Sequence, residues 1–327
     1  MFIDVHHHWV PMEFIKNVEK YLRPNEKVVW QKGVANIYRD GFQVCTRNPE
    51  HSDIEKQIRD MDEAEVDMAV QSVAVWQDWT TMKTAPFIND QMAEIQAKYP
   101  KRFICMAHVP PFEKGAPEEL ERAVKKLGLK GTCITTHCQG KYPGDDAYRP
   151  LYKKAAELDI PIFIHAAPAM VGHEFLTQDK VTGKFVRLFG RAIDHTLAVI
   201  RLIGTGILKD FPTLKFINGH IGGTWFVLSD RFLEPAHPLW NTKEDPKQYM
   251  KQLYFDTAPS GWKQPHMNCA AATIGADNLV FGTDFPSADM DSMKTNKALI
   301  DGLNVSQKDK EKISSGNVMK LFKIKKK

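Results

Sequence analysis

The sequence predicts an α/β protein, a closed (β/α)8 TIM barrel, and three observations carry that prediction. Short β-rich runs alternate with amphipathic stretches about eight times along the chain. The runs are dense in Val, Ile, Phe and Cys along their whole length, as expected of parallel strands covered on both faces. Several runs finish in a histidine or a carboxylate, and the extra length of the chain falls directly after the first and fifth of them. That is the end of a barrel where chemistry is built.

Taken in order, Met1–His8 is an apolar strand ending in three imidazoles, and Pro11–Arg47 is the first insertion. Ser52 and Asp53 then offer capping oxygens ahead of an apolar-periodic segment, so Asp53–Glu65 reads as a helix. Met68–Val75 is the second strand, and Thr84–Tyr99 a helix stopped by Pro100. Strands at Arg102–Pro110 and Gly131–Thr136 are each followed by helical patterns, Pro117–Leu127 and Ala147–Leu158. Pro161 enforces the break into the fifth strand, Ile160–His165. The second insertion, Met170–Arg187, leads to a helical stretch over Leu188–Asp210 that ends before Pro212. Strands at Leu214–His220, Leu253–Thr257 and Leu279–Asp284 alternate with helices at Trp225–Leu233 and Gln264–Ile274. Asp291–Leu303 and Ser306–Phe322 close the chain as helices.

The length of 327 residues suits a barrel of about 250 residues plus these insertions. No linker, repeat or low-complexity tract divides it, so residues 1–327 read as a single domain. A hydrophobic content of 43% with 26% charged residues excludes disorder. The 44 Lys and Arg against 40 Asp and Glu leave a scattered +4, which argues against nucleic acid as partner. Leu197–Leu208 is the most apolar stretch, but Arg201, Gly204 and Gly206 break it well short of the roughly 18 residues of a membrane span. Asp4 and three histidines stand where a secretory signal would be apolar. Five cysteines, odd in number and without a CxxC pair, read as reduced thiols. These features together predict a cytoplasmic enzyme without membrane attachment.

The strand ends carry the chemistry. Residues two apart on a strand share a side, so His6 and His8 face the barrel axis while His7 points away. His165, His220 and Asp284 end the fifth, sixth and eighth strands, and His137 follows the fourth. A polar group at the end of an apolar strand must be solvated, paired or liganded, because burying it bare costs several kcal/mol. Any one of these histidines alone is as readily a hydrogen-bonded structural residue. Several imidazoles and a carboxylate converging at one barrel mouth satisfy one another most simply around a divalent cation such as Zn, Mn or Fe. The aromatics Trp9, Trp76, Trp79 and Trp225 fall just past strand tips, and Trp9 is the candidate for stacking on a planar substrate.

The ordered set resembles the amidohydrolase superfamily. Within it, the chain resembles the branch of aminocarboxymuconate-semialdehyde decarboxylase and related metal-dependent non-oxidative decarboxylases. The likeness runs through Ile3-Asp4-Val5-His6-His7-His8, Gly128–Gly131 with Thr136-His137, and Ile160–His165. It continues in Phe211–Phe216, His220-Ile-Gly-Gly223, Phe281–Pro286 and Gly316-Asn317. The resemblance implies His6, His8, His165 and Asp284 as ligands of one divalent metal, zinc first and manganese as the alternative. It makes His220 the acid/base histidine, with Asp284 a ligand that also takes part in protonation. The lysine of binuclear relatives is absent from Thr132–His137, which favours a single ion and leaves His137 as a supporting or substrate-facing residue. Arg231 and Arg47 resemble the family's carboxylate-binding arginines, and Arg231 resembles one that reaches a neighbouring subunit, implying a homodimer. Met170–Arg191 does not match the decarboxylase loop after the fifth strand, a loop that helps set substrate identity. The implied reaction is decarboxylation of a small anionic aromatic or unsaturated acid. The alternative is a hydrolase acting on a lactone, C–C or amide bond, or a hydratase, using metal-activated water on the same scaffold.

Overall fold

In the first strand, β1 (Ile3–Trp9), every residue is buried, because neighbours cover both of its faces. The computed structural model describes residues 1–73, 80–170, 173–234, 240, 244–259 and 261–325. Three further strands, β2 (Glu26–Gln31), β3 (Val34–Arg39) and β4 (Phe42–Arg47), pair antiparallel within the first insertion. The parallel strands follow as β5 (Met68–Val73), β6 (Phe103–Cys105), β7 (Ala107–His108), β8 (Thr132–Thr135), β9 (Ile162–His165), β10 (Phe216–Asn218), β11 (Leu253–Asp256) and β12 (Leu279–Val280).

The order β1-β5-β6 continues, past the break at Met106, into β7-β8-β9-β10-β11-β12. Backbone bonds from Val5 N to Phe281 O (2.9 Å), Asp284 N to His6 O (2.9 Å) and His8 N to Phe285 O (2.8 Å) bring the last strand's extension against the first. Inside lies one apolar cluster with contributions from every parallel strand but β7, where Met106 at the break stands in: Ile3, Val5, Val70, Ile104, Met106, Cys133, Phe163, Ile217, Tyr254 and Val280. Val318, Met319, Leu321 and Phe322, at the chain's end, pack against the same cluster. A larger apolar layer lies between the strands and the helices.

The strand reading matches these elements closely, and three differences have physical causes. The first insertion, expected only as extra length after the first strand, holds two hairpins. Lys32-Gly33 and Asp40-Gly41 turn them, with all four residues at positive φ, the requirement of a type I′ turn. The expected helix over Leu188–Asp210 is a π turn at Val186–Gly190, a helix over Arg191–Gly204 and a short turn over Ile207–Asp210. Gly206, at φ 81°, makes the second break. Likewise Ser306–Phe322 is interrupted by a π turn at Lys312–Gly316.

The two insertions meet over the mouth of the barrel. His173 pairs with Asp40 at 3.0 Å, and Arg191 Nη2 donates to Val44 O at 2.6 Å. Gly183 lies so close to Phe42 that a Cβ there would sit 1.8 Å from its ring, so only glycine permits this contact.

Candidate active site

The imidazoles of the first strand face the barrel mouth through an irregularity. Ile3 and Val5 point into the interior, so strict alternation would carry His7 inward rather than His6 and His8. The pairing of β1 with β5 shifts register between Asp4 and His7, and that shift reverses the parity. His7 is left on the other side, with its Nδ1 3.1 Å from Asp4 Oδ2. Asp4 also accepts from His6 N (3.0 Å), Thr283 N (3.0 Å) and Thr283 Oγ1 (2.6 Å), which locks the first strand to the eighth.

His6, His8, His165 and Asp284 each offer one donor atom, all within 4.8 Å of one another. Their inner atoms are directed by partners on the outer side. His6 Nδ1 is 2.6 Å from Asp256 Oδ2, and His8 Nδ1 is 3.0 Å from Ser72 Oγ. Both Nε2 atoms therefore face Asp284 Oδ1, at 3.4 and 3.1 Å respectively. His220 is stacked on His6 with ring centres 5.3 Å apart, and its Nε2 lies 3.6 Å from Asp284 Oδ2. The Nε2 atoms of His6 and His220 are buried without a hydrogen-bond partner among the described residues.

Electrostatics matches this arrangement. Burial pushes His8 down to about 4 and, reinforced by the charges of His8 and His6, His165 well below the ordinary range. Both rings are thus neutral near pH 7, with lone pairs free to ligate. Burial also opposes charge on His6, but the carboxylates of Asp256 and Asp284 outweigh it and raise that ring to about 10. For Asp284, burial alone would favour the neutral acid; contact with His6, His220 and His8 instead holds it well below the usual carboxylate range. A proton between two carboxylates occupies the role that a cation fills better, and three imidazoles with one carboxylate form a donor set for one divalent metal.

The loop carrying His220 is strained. His220, Ile221 and Asp284 stand at φ 54°, 53° and 65°, a left-handed region that bulky residues rarely adopt. Asp256 Oδ1 holds the first of them, accepting from His220 N (2.8 Å) and Ala258 N (3.1 Å). Gly223, at φ 71°, lies where a Cβ would fall 1.8 Å from Ala192 O. Gly223→Ala is expected to lower stability by about 1–3 kcal/mol, read as a shifted denaturant midpoint. Because Asp256 orients both His6 and His220, Asp256→Asn is expected to weaken metal affinity about 10- to 100-fold in a chelator competition.

Above these groups opens a cleft of about 1110 Å³. His220 and Asp284 line it together with Tyr38 and Phe42 of the hairpins, Lys180, Lys184 and Arg187 of the second insertion, and Arg191 at the start of the next helix. The expected substrate-facing residues are placed variously. Arg47 is buried on β4, its Nη1 donating to Thr46 O at 2.9 Å, and its charge reaches His51 and Arg191. Arg231 is exposed on the helix Trp225–Phe232. His137 turns away from the four donors; its Nε2 donates to Pro168 O at 2.9 Å and lies 3.9 Å from Asp194. Trp9 falls on the side of His7, opposite His6 and His8, so it packs into the outer core rather than at the mouth. Trp225 is buried and stacked near Phe255, and Trp76 and Trp79 lie outside the described residues. Sequence reasoning missed Asp256, although it ends the seventh strand as Asp284 ends the eighth. It also missed His195, which carries no strand-tip signal; its fully buried ring lies 5.0 Å from that of His220.

Comparison with known proteins gives a consistent picture. A family model described as amidohydrolase matches residues 3–324. The chain is 26% identical over 295 residues to gamma-resorcylate decarboxylase of Polaromonas sp., covering 83% of this chain and 87% of that one. It is 30% identical over 274 residues to 2-keto-4-carboxy-3-hexenedioate hydratase of Sphingobium sp., covering 77% of this chain and 73% of that one. Among solved structures it is similar to a dihydroxybenzoic acid decarboxylase of Polaromonas sp. bound to manganese and the inhibitor 2-nitroresorcinol. That match has a TM-score of 0.77 and 23% identity, and it covers 100% of this chain and 98% of the other. Among the described residues no helix is long and apolar enough to cross a membrane.

Proposed function

Because the chain belongs to the amidohydrolase family, we propose that it is a metal-dependent non-oxidative decarboxylase of a small aromatic carboxylic acid, folded as one barrel domain. The observation that carries this reading is the four-donor cluster with His220 stacked against it, at the floor of a cleft lined by cations. His6, His8, His165 and Asp284 are the ligands. The donor set suits zinc, the ion anticipated from the sequence, and equally manganese, the ion of the structural neighbour. When bound, a divalent ion supplies concentrated positive charge to the substrate's oxygens.

Decarboxylation breaks the aryl–carboxylate C–C bond, releases CO2 and leaves the bonding pair on the ring carbon, which then takes up one proton. His220 is the group that moves this proton, since its Nε2 is buried, without a hydrogen-bond partner among the described residues, and close to Asp284. Asp284, held ionised, orients His220 as well as serving as a ligand. Arg231, exposed on its helix, is available to a second copy of the chain, which supports a homodimer; sedimentation of the active enzyme tests this. Five free thiols support a reducing, cytoplasmic setting.

The test is to incubate metal-loaded protein with a panel of hydroxybenzoates, following CO2 and the matching phenol. Release of both in equal amounts is expected. Likeness to the hydratase favours a second reading, in which an unsaturated dicarboxylate gains water and no CO2 appears.

A further inference from the structure

We propose that Arg191, seconded by Arg187, anchors the carboxylate of the substrate. Both arginines line the cleft that has His220 and Asp284 on its floor, and a single π turn, Val186–Gly190, sets their spacing. Both follow the fifth strand, Arg187 at the end of the second insertion and Arg191 at the start of the next helix.

Neither arginine has a carboxylate within 4.0 Å among the described residues. Arg191 Nη2 donates to the neutral carbonyl of Val44 at 2.6 Å, while its Nε is buried with no partner among the described residues. Burial, and then the charges of Arg187 and Arg47, press Arg191 down to about 10. The guanidiniums of Arg187 and Arg191 repel one another in a half-buried wall, and the Asp284 carboxylate offsets only part of that repulsion. An anion entering the cleft removes that repulsion and completes the hydrogen bonding. A carboxylate fits best, because its two oxygens match the guanidinium fork.

The anchor is also rigid relative to the reacting end. Arg191 opens the helix Arg191–Gly204, whose next turn brings His195 beside His220. Thr196 Oγ1 on the same turn is 3.2 Å from Gly222 O in the His220 loop. An aromatic acid held at Arg191 is therefore registered against His220 by packed backbone rather than by a free loop.

The inference rests on the aromatic-acid reading of the cleft, so its test measures binding in the His220→Asn background, where turnover is slowed. Calorimetric titration of metal-loaded protein with salicylate and with phenol compares one ring with and without the carboxylate. With Arg191 in place, salicylate is expected to bind at least about 10-fold more tightly than phenol. Arg191→Gln is expected to lose about 10- to 100-fold in salicylate affinity with phenol binding and metal content unchanged. Arg191→Lys should fall between, because charge survives and the fork does not. Equal losses for both ligands, an unchanged salicylate affinity, or no discrimination with Arg191 in place overturns the proposal. Acid binding through Arg191 without CO2 release would fail the decarboxylase reading alone. Full CO2 release with Arg191→Gln binding acids normally would fail this inference alone.

Discussion

Replacing His6 and His8 together with alanine is expected to reduce bound metal from about one ion per chain to none, and CO2 release by at least about 10³-fold. The two rings supply two of the four donors, and each is aimed by its own partner, Asp256 or Ser72. Two remaining donors, His165 and Asp284, make an open and weak site. The scaffold should survive the change. Asp256 keeps two backbone donors, from His220 and Ala258, when His6 is removed, so the expected loss of stability is only about 1–3 kcal/mol. Plasma mass spectrometry of both proteins after metal reconstitution reads the outcome. A double variant holding a full equivalent would remove the first strand from the site. Two ions per wild-type chain would require a donor set beyond the four, and His137 is poorly placed to join one because its Nε2 faces Pro168 O.

How much of this could be read from the chain depended on which force placed each residue. The strands were legible because burial on both faces demands unbroken apolar runs, and the strand-end histidines stood out against them. His6 and His8 were predicted on one side by simple alternation. The structure reaches the same result by another route, a register shift that lets Val5 and His6 both point inward. Nothing in Ile3–His8 announces that shift, because it arises from pairing with β5. The hairpins of the first insertion did carry a local signal, Lys32-Gly33 and Asp40-Gly41, which length alone obscured. Arg191 and His195 were invisible for a different reason. They lie four apart on a helix, a spacing that looks like any amphipathic face until the helix is seen packed on the His220 loop. Trp9 shows the converse error, in which nearness to a strand tip suggested the cleft while parity sent the ring into the core.

His220→Asn is expected to leave metal content intact while CO2 release falls by about 10²-fold or more. Asparagine is the informative replacement because His220 sits at φ 54°, a conformation that asparagine tolerates better than most residues. The loop can therefore keep its shape, with the backbone N–H at position 220 still held by Asp256 Oδ1. The amide can also hydrogen-bond toward Asp284. What it cannot do is take up and release a proton in the working pH range. A pure loss in kcat, with KM and bound metal unchanged, is thus the signature of a proton-moving residue, whereas a structural role would lower metal content or stability along with rate. Full activity in this variant would pass the proton's path to another group. The buried ring of His195, 5.0 Å away, would be the next to replace, because it packs beside His220 and the four-donor cluster does not use it.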